Sequence, residues 1–254
     1  QKVPQKNINV IVKNDLGDKA TGKTDKNGEV TVPEVEKTEH HSAYVVGYTD
    51  GTFGPERNMT RSEAAAIFAR LLADKNGDNI SPVAKTKFSD VPAYAWYSGY
   101  VKYLNNNGVT YGNSKTNFAP DKQITRAEFT TLAVRFFDAY GDGDAEIMEQ
   151  FKSFDDVSDG YWAAEYIKAA AKHGWITGYG DGSFRADRQI TRAEVVTIVN
   201  RLLGRAADLE YVSDNLRKLN TFPDVSRRYW AYSDILEAAN AHNAILGTEE
   251  SWYK

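Results

Sequence analysis

Apolar residues along this 254-residue chain change their period once, near Tyr44. Before that point Asn7-Ile8-Asn9-Val10-Ile11-Val12 and Glu29-Val30-Thr31-Val32 alternate or cluster β-branched residues. They are separated by the turn-forming stretches Asn14-Asp15-Leu16-Gly17 and Asp25-Lys26-Asn27-Gly28. This grammar predicts strands joined by tight turns. Two or three strands bury too little to stand alone, so residues 1–38 are expected to form a short β segment, a hairpin or the tail of an upstream domain. Beyond Tyr44 the spacing becomes helical. The run Ala64–Leu72 is the first of three apolar helices, and a second kind of helix carries an aliphatic residue five positions after a tryptophan: Val101, Ile167 and Ile235.

Both helix types recur with fixed signatures. Thr60-Arg61-Ser62-Glu63, Thr125-Arg126-Ala127-Glu128 and Thr191-Arg192-Ala193-Glu194 open the first type, their arginines 65 and then 66 residues apart. Phe88-Ser89-Asp90-Val91, Phe154-Asp155-Asp156-Val157 and Phe222-Pro223-Asp224-Val225 precede the second, each Asp six residues before Trp96, Trp162 or Trp230. A period this regular means tandem modules. A turn-plus-helix half (A) falls near 44–72, 111–137 and 178–203. A box-plus-helix half (B) falls near 88–108, 154–174 and 222–243, with polar linkers at 73–87, 138–153 and 204–221 and a tail at 247–254. The order is A-B-A-B-A-B over residues 39–246. One 65-residue unit is marginal as an independent domain, so three units sharing one core are expected.

Composition narrows the function. No apolar run approaches the 18 or so residues of a membrane span, and the net charge of −4 lacks the basic field that nucleic acid requires. The absence of cysteine removes disulfides and thiolate metal sites. Asp74-Lys75-Asn76-Gly77-Asp78 and Gly141-Asp142-Gly143-Asp144 lack the ligand ladder of a calcium loop, and His40, His41, His173 and His242 lack a zinc spacing, the first two being expected to face solvent. No metal, cofactor or catalytic set is expected. The chain opens on Gln1 and is expected to be a fragment or processed product that carries an upstream cargo domain.

The Thr and Glu of each Thr-Arg-(Ser/Ala)-Glu box are explained by a capping box, in which each satisfies an orphan backbone N–H. The arginine is not. A cation at the first helical position opposes the helix dipole by about 0.3–1 kcal/mol. Arg61, Arg126 and Arg192 therefore invite either an anionic ligand, held by guanidinium and helix N-terminus together, or an internal salt bridge to Asp90, Asp156, Asp224 or a nearby Glu. Trp96, Trp162 and Trp230 fit a core position at the head of an amphipathic helix, or else a partly exposed face against which a sugar ring packs. Asp90, Asp156 and Asp224 could cap the B helix, accept from the arginine or bind hydroxyls, with capping the simplest. Tyr48, Tyr111 and Tyr179, in the glycine-rich turns before each A helix, are expected to be rim contacts.

These linked motifs, Phe-x-Asp-Val…Trp, Gly-Tyr-x-Asp-Gly-x-Phe-x-Pro and Thr-Arg-Ala-Glu, resemble the S-layer homology (SLH) domain of bacterial cell-surface proteins over roughly residues 44–246. The resemblance implies a mainly α fold, three repeats about a shared helical bundle forming a pseudo-threefold, three-pronged spindle. Because the family unit is written B then A, the first A half is expected to pair with the last B half. It further implies that Arg, Trp and Asp line inter-repeat grooves that hold a secondary cell-wall polysaccharide, a pyruvylated amino-sugar polymer, so that an exported protein is anchored to a Gram-positive-type cell wall. A surface-lattice protein that uses the repeats for protein–protein assembly is the alternative. The second turn, Tyr111-Gly112-Asn113-Ser114-Lys115-Thr116-Asn117-Phe118, lacks the Asp-Gly pair, and Ala186 stands where the other turns have Pro55 and Pro120, so equivalent grooves are not expected.

Overall fold

The computed structural model describes residues 9–13, 19–23, 37–141, 153–246 and 251–253. It divides into a helical body, residues 43–206 with 219–240, and a second body from the remaining segments. The elements of the helical body are α1 (Arg61–Asn76), α2 (Ser98–Asn106), α3 (Arg126–Tyr140), α4 (Ala164–Lys172), α5 (Arg192–Leu203) and, after α6 (Leu209–Asn215) of the second body, α7 (Tyr232–Ala239). The fold is mainly helical.

Each A helix starts where its box says it should. Thr60, Thr125 and Thr191 accept the N–H of Glu63, Glu128 and Glu194, and each glutamate accepts the threonine N–H in return. Gly77, Gly141 and Gly204 end the helices in the left-handed conformation that a side chain resists. α1 packs on α2, α3 on α4 and α5 on α7, so each A helix is covered by the B helix that follows it; α3 also touches both α1 and α5.

The three repeats meet in a closed ring of backbone hydrogen bonds. Met59 N–H donates to Ile190 C=O at 3.0 Å, Ile190 N–H to Ile124 C=O at 3.1 Å, and Ile124 N–H to Met59 C=O at 2.9 Å. All three side chains are at most 1% exposed. A second ring lies outside it. Phe88 packs on Phe118, Phe154 on Phe184 and Phe222 on Phe53, with centroids 5.2–5.7 Å apart. Burying each turn phenylalanine contributes about 1.5–3 kcal/mol. The last pair brings the first turn against the last Phe-x-Asp-Val box, while the helix that follows that turn packs on α2.

In the second body β1 (Asn9–Lys13) pairs antiparallel with β2 (Lys19–Lys23), and β3 (Lys37–His41), β4 (His242–Leu246) and β5 (Ser251–Tyr253) form an antiparallel sheet in the order β3-β4-β5. Four expectations change here. The final helix ends at Ala239 rather than Asn243, residues 251–253 of the expected tail are a strand, and α6 with a short 3-10 helix (Leu216–Lys218) occupies an expected linker. The run Ala244-Ile245-Leu246 is too short for its period to decide between helix and strand, and its partner lies some 200 residues away. His41 does not face solvent: it is 3% exposed with its ring edge on His242, which stacks on Trp252 at 3.8 Å. The expected strand at 29–32, the two Asx-Gly turns and most of the Gly141–Asp144 stretch lie outside the described residues.

Candidate functional site

The arginines of the three boxes are buried, 5–7% exposed, and held by backbone. Arg61 Nε donates to Phe118 C=O at 2.8 Å, Arg126 Nε to Phe184 C=O at 2.8 Å and Arg192 Nε to Phe53 C=O at 2.9 Å. Each guanidinium lies 4.6–5.1 Å from the ring of that same phenylalanine. Their carboxylate partners come from the neighbouring box. Arg126 reaches Glu194 at 3.0 Å and Arg61 reaches Glu128 at 3.6 Å, whereas Arg192 senses Glu63 through space and donates instead to Val46 C=O at 3.0 Å.

The helix N-termini are not free for an anion. In α1 the Arg61 and Ser62 N–H groups donate to Lys122 and Pro120 C=O, both at 3.0 Å. Arg126 and Ala127 donate likewise to Arg188 and Ala186, and Arg192 and Ala193 to Arg57 and Pro55. With the third N–H on the capping threonine, no amide of the first turn remains. The four orphan donors of each helix are thus consumed by the next repeat and by the cap.

The three aspartates do not cap the B helices, which have no side-chain cap, and do not accept from the arginines. Asp90 accepts the N–H groups of Phe118 and Ala119 at 2.8 and 2.6 Å. Asp156 accepts those of Phe184 and Arg185, both at 2.7 Å, and Asp224 those of Phe53 and Gly54 at 2.9 and 2.7 Å. The second residue of each pair has positive φ: 66° at Gly54, 59° at Ala119 and 58° at Arg185. Two charge-assisted bonds hold the chain in that region, where Ala and Arg carry a cost of roughly 1–2 kcal/mol.

The tryptophans are outside the core: Trp96 is 56% exposed, Trp162 and Trp230 each 58%. They stand two residues before their helices, and the aliphatic residue five positions later, at most 1% exposed, does the burying. Trp96 lines a cavity of about 200 Å³ with Arg192, Tyr48, Glu63 and Arg70. Trp230 lines one of about 210 Å³ with Arg126, Tyr179, Glu194 and Arg201. The corresponding positions of the middle repeat are Arg61, Glu128, Arg135 and Trp162.

Tyr48 and Tyr179 sit in these first and third grooves beneath stacked guanidinium groups, Arg57 and Arg192 over the former, Arg126 and Arg185 over the latter, at 4.1–4.8 Å. Tyr111 is not their counterpart. A Cβ at Gly47, Gly112 or Gly178 would overlap the ring of Phe222, Phe88 or Phe154, so these glycines are equivalent. The residues after them, Tyr48, Asn113 and Tyr179, each donate N–H to the residue four later. Asn113 therefore holds the tyrosine position, and Tyr111, two residues early and 57% exposed, stacks on Arg135 at 4.9 Å.

Two sets of groove residues have no place among the expected site residues. Arg70, Arg135 and Arg201 follow the box glutamates by seven residues, two helical turns on the same face, and that spacing is visible in the sequence. Arg57, Lys122 and Arg188 precede the boxes; Lys122 meets Glu128 at 3.0 Å and Arg188 meets Glu194 at 2.7 Å. Burial alone would raise the Glu194 carboxyl, but the Thr191 N–H, the Tyr179 hydroxyl, Arg126 and Arg188 outweigh it and hold it below the usual carboxylate range. Glu128 is held low in the same way by the Thr125 N–H, Lys122 and Arg61. The two cavities thus each set two arginines against one box glutamate, Arg70 and Arg192 against Glu63 and Arg126 and Arg201 against Glu194, a local excess of positive charge in a chain of net charge −4.

Three segments, residues 34–65, 87–130 and 153–196, match the S-layer homology domain. The chain is 37% identical over 216 residues to Cell surface glycoprotein 1 of Acetivibrio thermocellus, covering 83% of this chain and 9% of that protein. It is 36% identical over 226 residues to the Cellulosome-anchoring protein of the same organism, 87% of this chain and 47% of that protein. It is 32% identical over 163 residues to the Surface-layer 125 kDa protein of Lysinibacillus sphaericus, 63% of this chain and 13% of that protein. The chain spans less than half the length of each of these relatives. Three times the repeat's motifs coincide with the same buried arginine, turn-pinning aspartate and exposed tryptophan, and with them this chain belongs to the S-layer homology domain family.

Proposed function

We propose that this chain anchors an exported protein noncovalently at the bacterial cell surface by binding an anionic secondary wall polysaccharide in its inter-repeat grooves. The observation that carries this is the pairing, in one cavity, of a tryptophan face more than half exposed with a cluster of cations that outnumbers its carboxylate. Sugar rings pack on the indole, and a carboxylate such as a pyruvate ketal answers the charge. The names of the cellulosome-anchoring and surface-layer relatives support the extracellular, cell-surface setting. The role is non-catalytic, and three modest grooves on one long polymer add avidity without a deep pocket.

Calorimetric titration with wall-polymer fragments, with and without the ketal, tests the proposal. Binding should need the ketal and weaken with salt. Binding indifferent to both would remove the anionic ligand, and concentration-dependent self-association in its place would favour a lattice role.

A further inference from the structure

The three grooves differ in what holds their second arginine. Arg70 Nε donates to the Tyr100 hydroxyl at 3.3 Å and lies 5.1 Å from that ring. Arg135 donates to the Tyr166 hydroxyl from Nε at 3.2 Å and Nη2 at 2.9 Å, with the rings of Tyr111 and Tyr166 each 4.9 Å away. Tyr100 and Tyr166 each stand four residues after their groove tryptophan, Trp96 or Trp162. At that position in the third repeat the chain has Asp234, whose carboxylate accepts from Thr197 Oγ1 at 2.7 Å and Asn200 Nδ2 at 3.2 Å. Arg201 is left without a tyrosine.

Among the described residues the Arg201 side chain has no hydrogen-bond, ion-pair or ring partner, although it lines the cavity that Arg126, Tyr179, Glu194 and Trp230 share. The other cations of that groove are engaged: Arg126 with Phe184 C=O and Glu194, and Arg188 with Glu194 and Tyr179. A guanidinium tied to a phenol must give up that bond, or share it, before it can grip an anion. One with its planar fork free has no such competition.

We propose that Arg201 takes the carboxylate of an acidic sugar in the third groove and makes that groove the tightest of the three. This rests on the anionic wall-polymer reading above. Arg126, buried behind Glu194, then positions the carboxylate of Glu194 and the Tyr179 ring, while the exposed Arg201 meets the ligand across from Trp230.

The test is calorimetric titration of the whole chain with a methyl glycoside of an amino sugar bearing a pyruvate ketal, and with the same glycoside lacking it. Arg201→Gln should weaken the tightest class of site about tenfold or more for the ketal sugar, while Arg70→Gln and Arg135→Gln stay within about twofold of the parent. Arg201→Lys, which keeps the charge but not the fork, should fall between. Because Arg201 makes no internal bond, its melting temperature should not change. Parent-like ketal affinity in Arg201→Gln would overturn the assignment, as would equal losses in all three variants. A lowered melting temperature with unchanged binding would instead assign Arg201 to the dipole of α5 and also overturn it. If the parent chain itself does not distinguish the two glycosides, the anionic-sugar reading falls, and this assignment with it.

Discussion

The Phe53 N–H donates to Asp224 Oδ1 at 2.9 Å across 171 residues of sequence, and Gly54 donates to the other oxygen at 2.7 Å. One carboxylate thereby fixes the first turn of the helical body to its last box. Asp90 and Asp156 do the same for sequence neighbours, so Asp224 is the member of the set that closes the ring. The Phe53 amide is part-buried and the Gly54 amide is open to water, so losing their shared acceptor in Asp224→Ala should lower the unfolding free energy by about 1–3 kcal/mol. Asp224→Asn, which retains one carbonyl acceptor, should lose about half as much. Urea melts followed by circular dichroism decide it; an unchanged midpoint in Asp224→Ala would mean that the closure carries no stability.

Arg126→Ala should destabilise before it tells anything about ligands. It leaves the buried Phe184 carbonyl without its donor and takes one of two arginines from Glu194, which Arg188 and Tyr179 still hold, so the cost is about 1–3 kcal/mol. Thermal melts should show a drop for Arg126→Ala and little rescue by Lys, which cannot reproduce the fork. A variant that melts like the parent would contradict the structural role found here.

Trp230→Ala removes a side chain that is 58% exposed, so unfolding free energy should stay within about 0.5 kcal/mol of the parent. Under the proposed function, affinity for the wall polymer falls in the same variant. The combination of intact stability and lost binding separates Trp230 from the buried Trp175, 2% exposed, where alanine should cost about 3–5 kcal/mol.

Acid should loosen the inter-repeat contacts. Glu128 and Glu194 are held below the ordinary carboxylate value in the folded state, so the unfolded chain binds more protons as pH falls. Their stabilisation is complete above the unfolded value of about 4.3 and is lost as pH drops through the lower folded one. Melting temperatures measured from pH 7 to pH 2.5 should decline on the acid side, and Glu194→Gln should start lower at pH 7 and decline less. A parallel decline in both proteins would place the titrating groups elsewhere.

The helical body was largely legible in the sequence because its information is local. A capping box needs four consecutive residues, and Thr60-Arg61-Ser62-Glu63 and its two copies start helices one residue after the threonine. The three signatures, evenly spaced, also imply the count of repeats. Asn113 shows the limit of local matching. Tyr111 has the right residue type beside a glycine, but the register is set by which glycine lies against the box phenylalanine, and that contact is made by another repeat.

The sequence by itself determined where the A helices begin, that there are three repeats, and that the boxes carry an arginine which capping leaves unexplained. Tertiary structure alone decided what each charged group does. The helix N-terminal amides are taken by carbonyls of the next turn, the aspartates pin backbone rather than cap helices, and the tryptophans stay outside because the aliphatic residue one turn later fills the core. The strands His242–Leu246 and Ser251–Tyr253 were settled the same way. Short-range propensity is worth tenths of a kcal/mol per residue, whereas an unpaired buried charge or amide costs about 1–3 kcal/mol or more, so partners distant in sequence prevail wherever the two compete.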